Sequence, residues 1–101
     1  MDPDLPEFMI ADVVSPLAGR EAGKLYYVVG LEGDYILLAN GKDRSLEQPK
    51  RKKRKHAEKV LRSETRVAEK LRSGDKVLNS ELRRDLAYLS QQLQSNADGG
   101  N

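Results

Sequence analysis

The chain has 101 residues, no cysteine and a formal net charge of +2. This length holds one domain, or a small domain with an extension, and the lack of cysteine excludes a disulfide framework or a thiolate metal site. No stretch reaches the roughly 18 apolar residues of a membrane-spanning helix and no signal-peptide pattern opens the chain, so we expect a cytoplasmic protein.

Residues 1–8 are acidic and contain two prolines, and a second methionine follows at position 9. This composition is typical of a leader placed before a natural start at Met9, or of a genuine disordered tail. The residues alone leave both alternatives open. Since both place residues 1–8 outside the folded domain, we expect the domain to begin at Met9.

Residues 9–48 have the composition of short β-strands separated by turns. Strands are predicted over 9–14, 24–29 and 35–39, which are rich in β-branched and aromatic residues. The pair Asn40-Gly41 is typical of a type I′ turn, which requires positive φ at both central positions. It predicts a fourth strand over 42–46 that pairs with the third. Several short strands in about 40 residues indicate a small β-barrel.

Six consecutive cations occupy positions 50–55, between Pro49 and the single histidine, His56. No carboxylate lies within this basic run, so solvent, counterions or a polyanion must offset most of the repulsion. Lysine and arginine neutralise phosphates and release condensed counterions, which gives an affinity that falls steeply with salt. The run predicts either a contact with a polyanion or a disordered targeting segment.

The segment after the run allows two interpretations. Small and aliphatic residues recur at helical spacing over 57–72, which favours one long helix ending at Gly74. A barrel needs a last strand to cover its open edge, which favours a strand over 55–61 and a helix over 64–73 capped by Ser63.

A leucine stripe marks the C-terminal helix. Leu82, Leu86, Leu89 and Leu93 lie on one face, with Leu78 one turn upstream and a cap at residue 79 or 80. The stripe is too short for a coiled coil, so we expect it to pack on the rest of the core. Residues 95–101 are polar and glycine-rich and are predicted to be a disordered tail.

Several of these segments resemble a known family. Residues 13–15, 18–20 and 22–29 resemble the KOW motif, a strand–glycine-rich loop–strand unit of SH3-like barrels in ribosomal proteins and transcription elongation factors. Residues 40–44 and 49–56 are similar to the hairpin and the Pro-Lys-rich stretch of small bacterial RNA-binding relatives of the ribosomal L14e KOW family. The resemblance implies a mainly β (α+β) fold: an SH3-like barrel over 9–62 with a helical extension over 63–94. It also favours the strand interpretation of 55–61.

The resemblance and the charge pattern together predict an RNA-binding face. The residues expected to form it are Arg20, Lys24, Lys42, Arg44, Lys50, Arg51, Lys52, Lys53, Arg54, Lys55 and His56. Tyr26 and Tyr27 point to opposite faces of a strand, so we expect one in the core and the other exposed, where it is able to stack on a base. The implied partners are RNA, above all ribosomal RNA, and ribosomal proteins. We expect a monomer with no cofactor and no membrane contact.

We predict no enzymatic activity, because the one histidine and the scattered carboxylates form no recognisable catalytic or metal-binding pattern. Two other functions stay open. The chain is alternatively a protein–protein interaction module, or the basic run after Pro49 is a nuclear localisation signal. The backbone of the run discriminates between these functions, because a targeting signal is flexible whereas a binding face is ordered.

Overall fold

A computed structural model describes residues 7–99 of the chain, with side chains described up to residue 95. The elements are β1 (Asp12–Pro16), β2 (Tyr26–Glu32), β3 (Tyr35–Ala39), β4 (Lys50–Lys53), β5 (Ala57–Arg62), α1 (Arg66–Ser73) and α2 (Asn79–Gly99). One turn of 3-10 helix, Arg54–His56, joins β4 to β5. The predicted α+β class, with strands first and helices last, is confirmed.

All five strands form one antiparallel sheet in the order β4-β3-β2-β1-β5. Strands β1 to β4 follow one another as a meander, and β5 returns to pair with β1. The register shifts between Val13 and Val14 in β1 and between Val28 and Gly30 in β2. Such bulges bend a strand and increase its twist, so they curve the middle of this sheet.

Both faces of the sheet are buried. In β2 the successive residues Tyr26, Tyr27 and Val28 alternate between two hydrophobic clusters. The cluster on the Tyr27 face includes residues of both helices, whereas the Tyr26 face is lined by strand residues and Phe8. The prediction that one of the two tyrosines is exposed is therefore wrong, because each ring has its own covered face.

The two helices pack on the sheet. Thr65 caps α1 by accepting a hydrogen bond from Ala68 N, and Gly74 ends the helix at a φ of 76°. Leu82, Leu86 and Leu89 of α2 are buried against the sheet, as the leucine stripe predicts, whereas Leu78 is exposed. Within residues 7–99 neither helix is both long and apolar enough to cross a membrane.

A buried polar network fixes the helices on the sheet. The hydroxyl of Tyr27 on β2 donates to the Asp85 carboxylate on α2 and lies 2.8 Å from Ser63 Oγ. Thr65 donates to the same carboxylate at 2.8 Å, and its oxygen caps α1. One carboxylate therefore links β2, the start of α1 and the middle of α2.

The fourth strand differs from the prediction. Residues 42–46 form an irregular loop, and the partner of β3 is the basic run itself. The Asn40 side chain accepts hydrogen bonds from the backbone amides of residues 42, 43 and 44 at 2.9–3.0 Å. Ala11 is the non-glycine residue with positive φ in the described part of the chain, so Asn40 does not adopt the type I′ conformation. The asparagine side chain closes a loop and does not start a hairpin.

The strand interpretation of the next segment is confirmed, because Ala57–Arg62 forms β5 beside β1. The helix cap is two residues later than predicted, at Thr65, because the buried hydroxyl of Ser63 belongs to the polar network. The predicted cap of α2 is also wrong. Asn79 accepts from Leu46 N and donates to Glu47, and Glu81 accepts from Leu78 N at the start of the helix.

The two ends of the chain differ from the predicted boundaries. Residues 1–6 of the predicted leader or tail lie outside the described residues, but Phe8 is 4% exposed and belongs to the Tyr26 cluster. The folded domain therefore includes Phe8 and does not begin at Met9. At the other end α2 continues to Gly99, so the structure extends the helix into the segment 95–101 that was predicted to be a tail. Residues 100 and 101 lie outside the described part.

Candidate nucleic-acid interface

The basic run forms an edge strand and the turn that follows it. Among the described residues β4 pairs only with β3, and it lies at one end of the sheet order. Its register places Lys50 and Lys52 opposite Leu38 and Ile36. Because side chains alternate along a strand, these two lysines share one face, and Arg51 and Lys53 share the other. The sequence run therefore divides into two pairs of cations.

Lys50 and Lys52, the inner pair, lie beside the carboxylate of Glu21, which belongs to the loop between β1 and β2. Lys50 Nζ donates to Glu21 Oε1 at 2.7 Å, and Arg44 Nη2 lies 3.6 Å from the same oxygen. Lys52 Nζ lies 3.8 Å from Glu21 Oε2. The side chains of Glu21 and Lys52 are 16% and 17% exposed and are largely shielded from water, whereas Arg44 is exposed. We call Glu21, Arg44, Lys50 and Lys52 the Glu21 cluster.

The cations of the Glu21 cluster lower the pKa of the Glu21 carboxyl group. The hydrogen bond from Lys50 holds the pKa of Glu21 below its ordinary value of 4.5, and the positive charges of Lys50, Lys52 and Arg44 add to this effect against the opposing effect of burial. Glu21 therefore remains ionised at neutral pH and neutralises one of the three positive charges around it.

Arg51 and Lys53, the outer pair, have a different environment. Arg51 lies over the ring of Tyr35, 3.7 Å from its centroid, and its Nε lies 3.3 Å from Glu32 Oε1. Lys53 is exposed. The expectation that solvent or a polyanion offsets most of the repulsion in the run is therefore incomplete, because Glu21 from a loop and Glu32 at the end of β2 lie against it.

The loop after β3 positions two more of the predicted residues. The hydrogen bonds of the Asn40 side chain fold the loop so that Arg44 lies beside Glu21. Lys42 in the same loop is exposed. Lys24 lies across from this loop, with its Nζ 3.3 Å from Asp43 Oδ2. Asn40 and Lys24 both lower the pKa of the exposed Asp43 carboxyl through hydrogen bonds.

The remaining predicted residues are distributed around this group. Arg20, Lys55 and His56 are exposed, and the His56 carbonyl accepts from Leu17 N at 3.0 Å, which joins the 3-10 turn to the end of β1. Arg54 is half-buried; its backbone amide donates to the Asp34 carbonyl, and its Nε is buried with no hydrogen-bond partner among the described residues.

A groove of about 630 Å³ adjoins the Lys24–Asp43 pair. Its apolar side is formed by Leu25, Leu86 and Ala87, and three cations lie around it: Lys24, Lys42 and Arg83. Arg83 was not among the residues predicted from the sequence, where it falls on the polar face of the leucine-striped helix. The groove continues the basic surface from the loops onto α2.

The structure thus brings together Arg44, Lys50 and Lys52, with the Lys24–Asp43 pair nearby, and places Arg51 on the other face of β4. Arg51 therefore faces away from the cations that surround Glu21. Sequence reasoning missed Glu21, although it is the one acidic residue between the predicted Arg20 and Lys24.

Comparisons with known proteins give no family for this chain. No protein-family model matches it, and no curated protein matches it significantly. Among the described residues, no group of three or more histidine, cysteine or acidic side chains is arranged to hold a metal ion. The resemblance to the KOW motif accordingly stays a prediction, and the function must be argued from the residues themselves.

Proposed function

We propose that this protein binds RNA through the surface formed by the loop 20–24 and the segment 40–56. The charge distribution supports this surface. Residues 40–56 contain eight lysines or arginines and two acidic residues, whereas the other 84 residues contain ten and fourteen. The small net charge of the chain hides a basic segment on an acidic background, and such a segment attracts a polyanion.

The observation that carries the proposal is the ordered backbone of the basic run. Lys50–Lys53 is hydrogen-bonded to β3, and Arg54–His56 is a turn held between Asp34 and Leu17. A targeting signal must be flexible enough to enter the groove of a receptor, whereas a binding face presents its charges at fixed positions. The order of the run favours the binding face.

We further propose that the sheet closes into an SH3-like barrel of the KOW type. The helices cover the Tyr27 face, yet Val14, Tyr26, Val28, Ile36 and Leu38 on the other face are also buried. Curling of the sheet around its own second face accounts for this burial, and the bulges in β1 and β2 are devices that produce such a curl.

Recognition of RNA here relies on phosphates and shape rather than on base stacking. Tyr26 and Tyr27 are buried and Tyr35 lies under Arg51, so none of the three presents a free ring beside the basic segment. Lysine and arginine side chains contact phosphates of any sequence, which suits a structured RNA. Within this proposal the partner is ribosomal RNA, with neighbouring ribosomal proteins, in the cytoplasm.

The test is a charge reversal that leaves the fold intact. Lys53 and Lys55 are exposed and have no ion pair with a described residue, so Lys53→Glu with Lys55→Glu removes two candidate contacts without exposing a buried partner. The matched control is Lys76→Glu with Arg84→Glu, which makes the same change of charge at exposed positions outside this surface.

Affinity for ribosomal RNA fragments and for a duplex DNA of equal charge is measured by fluorescence anisotropy over a salt series. The Lys53/Lys55 variant should bind more weakly, with a log–log salt slope shallower by about 1.4 for two lost single-strand contacts. The control should keep the wild-type slope. Equal weakening in both variants would mean that only net charge matters, and unchanged binding would remove this surface from the interface. Aggregation of the first variant alone would show that the lysines protect a sheet edge.

A further inference from the structure

The carboxylate of Glu21 lies where an anionic ligand would be held. Its two oxygens face Lys50 and Arg44 on one side and Lys52 on the other, at 2.7, 3.6 and 3.8 Å. A guanidinium and two ammonium groups that converge on two oxygens form a set of donors suited to a phosphate group. Since Glu21 carries one negative charge against three positive charges, the cluster keeps a positive excess.

Tyr26 provides a second observation at the same place. Its side chain is 1% exposed, and its hydroxyl has no hydrogen-bond partner among the described residues. Burial raises the pKa of this hydroxyl, and the charges of Glu21 and Asp43 raise it further while Arg44 opposes them. Tyr26 packs with Ile36 and Leu38, which lie opposite Lys52 and Lys50 in the sheet, so its ring is on the sheet face that carries these two lysines. A buried hydroxyl without a partner is unfavourable, and an acceptor placed beside it would relieve this cost.

The segment that carries Glu21 is a surface loop with a glycine on each side of Glu21. Gly19 and Gly23 flank it with φ values of +88° and +84°, and the space around both is open. The neighbouring residues 17–20 and 22–24 are exposed, so the segment has few packing contacts to lose. Besides Glu21, its contacts with the rest of the fold include the hydrogen bond from Gly23 N to Ser15 Oγ at 3.1 Å, the Lys24–Asp43 ion pair and the hydrogen bond from Leu17 N to the His56 carbonyl. Glu21 is therefore able to leave the cluster without a change in the core.

We propose that Arg44, Lys50, Lys52 and the Tyr26 hydroxyl form a phosphate-binding site that Glu21 closes in the unbound protein. The identity of the ligand, a backbone phosphate of RNA, rests on the proposed function; the site and its closure are additional. Carboxylate and phosphate compete for the same donors, so a ligand must displace Glu21 to bind. A polyanion with several further contacts does this at low concentration, whereas a small anion does so only near saturation.

The first experiment measures binding of inorganic phosphate by NMR, from the backbone amide shifts of Arg44, Lys50 and Lys52. Glu21→Gln removes the competing charge, and Glu64→Gln is the matched control at an exposed carboxylate that pairs with Arg62 elsewhere. Glu21→Gln should bind phosphate about tenfold more tightly than the wild type, because a like charge beside the ligand opposes binding. Glu64→Gln should equal the wild type.

Two further measurements separate binding from structure. Tyr26→Phe in the Glu21→Gln background should lose several-fold in phosphate affinity but no stability, since the hydroxyl has no partner in the fold. In the wild type, the pKa of the Glu21 carboxyl, followed by its ¹³C shift, should rise towards 4.5 when saturating phosphate or RNA displaces it from Lys50. The second measurement needs no variant, so it applies even where Glu21→Gln does not fold.

The proposal is overturned when Glu21→Gln and Glu64→Gln bind phosphate with the same affinity, or when the pKa of Glu21 does not move on saturation of the wild type. Its failure is distinct from failure of the proposed function. Tight phosphate binding by Glu21→Gln without RNA binding by either protein would leave a phosphate site and remove RNA as its ligand. RNA binding that is equal in the wild type and Glu21→Gln would keep the function and remove the closure.

Discussion

Removal of the Tyr27 hydroxyl is the sharpest test of how the helices are held on the sheet. Tyr27→Phe keeps the buried ring, so the hydrophobic contribution of the side chain is retained. What is lost is the hydrogen bond to Asp85 and the contact with Ser63 Oγ at 2.8 Å. Asp85 still accepts a hydrogen bond from the Thr65 hydroxyl at 2.8 Å, so its carboxylate keeps one of its two donors in the network.

The magnitude follows from the type of bond. A hydrogen bond to a charged group contributes about 1.5–3 kcal/mol to the free energy of unfolding. Because Asp85 is only half-buried and retains Thr65, we expect Tyr27→Phe to lower the free energy of unfolding by about 2 kcal/mol. For a domain of this size that corresponds to a Tm lower by about 8–16 °C.

The same hydroxyl predicts a dependence on pH. Burial, together with the hydrogen bond to Asp85, raises the pKa of Tyr27 to about 12 from the ordinary value of 10.0. Because the folded state holds this proton more tightly than the unfolded state, the stabilisation is complete below pH 10 and is lost as the pH rises towards 12. A shift of this size corresponds to about 3 kcal/mol. The difference in stability between wild type and Tyr27→Phe should therefore shrink over this range.

The assay is urea unfolding followed by far-UV circular dichroism at pH 7, repeated at intervals up to pH 11.5. Tyr88→Phe is the matched control, because Tyr88 lies on α2 with its side chain 53% exposed. We expect a change of less than about 0.5 kcal/mol for the control. A Tyr27→Phe protein as stable as Tyr88→Phe, or a stability difference that stays constant above pH 10, would refute the network as the link between sheet and helices.

Two further predictions concern loops. Gly41→Ala should lower the free energy of unfolding by about 3 kcal/mol, because the new Cβ would overlap the carbonyl of Asn79. Gly33→Ala is the control at positive φ in open space and should lower it by about 1 kcal/mol. Urea unfolding compares the two variants, and equal losses of stability would contradict the overlap. In the folded protein the pKa of Glu21 lies below 4.5, chiefly because of the hydrogen bond from Lys50. The ionised Glu21 carboxylate therefore stabilises the fold above pH 4.5, and this stabilisation is lost as the pH falls through the folded-state pKa. The stability difference between wild type and Glu21→Gln, measured from pH 6 to pH 3, should shrink accordingly, and parallel profiles would contradict this.

Local patterns in the sequence were sufficient for about half of the fold. Strands β2 and β3 are dense in β-branched and aromatic residues, and the leucines of α2 repeat at helical spacing, so neighbours along the chain specify these elements. The choice of a strand for Ala57–Arg62 needed more than periodicity, because its apolar residues fit a helix equally well. The family resemblance, combined with the need to cover β1, decided it correctly.

The fourth strand could not be predicted from neighbours. Four adjacent cations in a strand repel one another, and what makes Lys50–Lys53 acceptable is Glu21, which lies 29 residues before Lys50. The turn signal at Asn40-Gly41 was misleading for a related reason: the Asn40 side chain is used within the loop, and Gly41 is required by the close approach of the Asn79 carbonyl. Both outcomes depend on contacts that form only after the chain has folded.

The same long-range contacts limit how many phosphates the basic run is able to reach. Lys50 and Lys52 face Glu21, Arg51 pairs with Glu32 and Arg54 is half-buried. Among the described residues this leaves Lys53 and Lys55 as the exposed cations of the run without a carboxylate nearby.

A count of charges therefore overstates the contacts available while Glu21 is in place. Lys53 and Lys55 contribute about −1.4 to the salt slope for a single strand, and release of Arg44, Lys50 and Lys52 from Glu21 adds about −2.1 to the slope. A wild-type slope as steep as that of Glu21→Gln would mean that RNA itself displaces Glu21. A shallow slope that steepens only in Glu21→Gln would mean that the closed cluster resists the ligand, and that another event must open it.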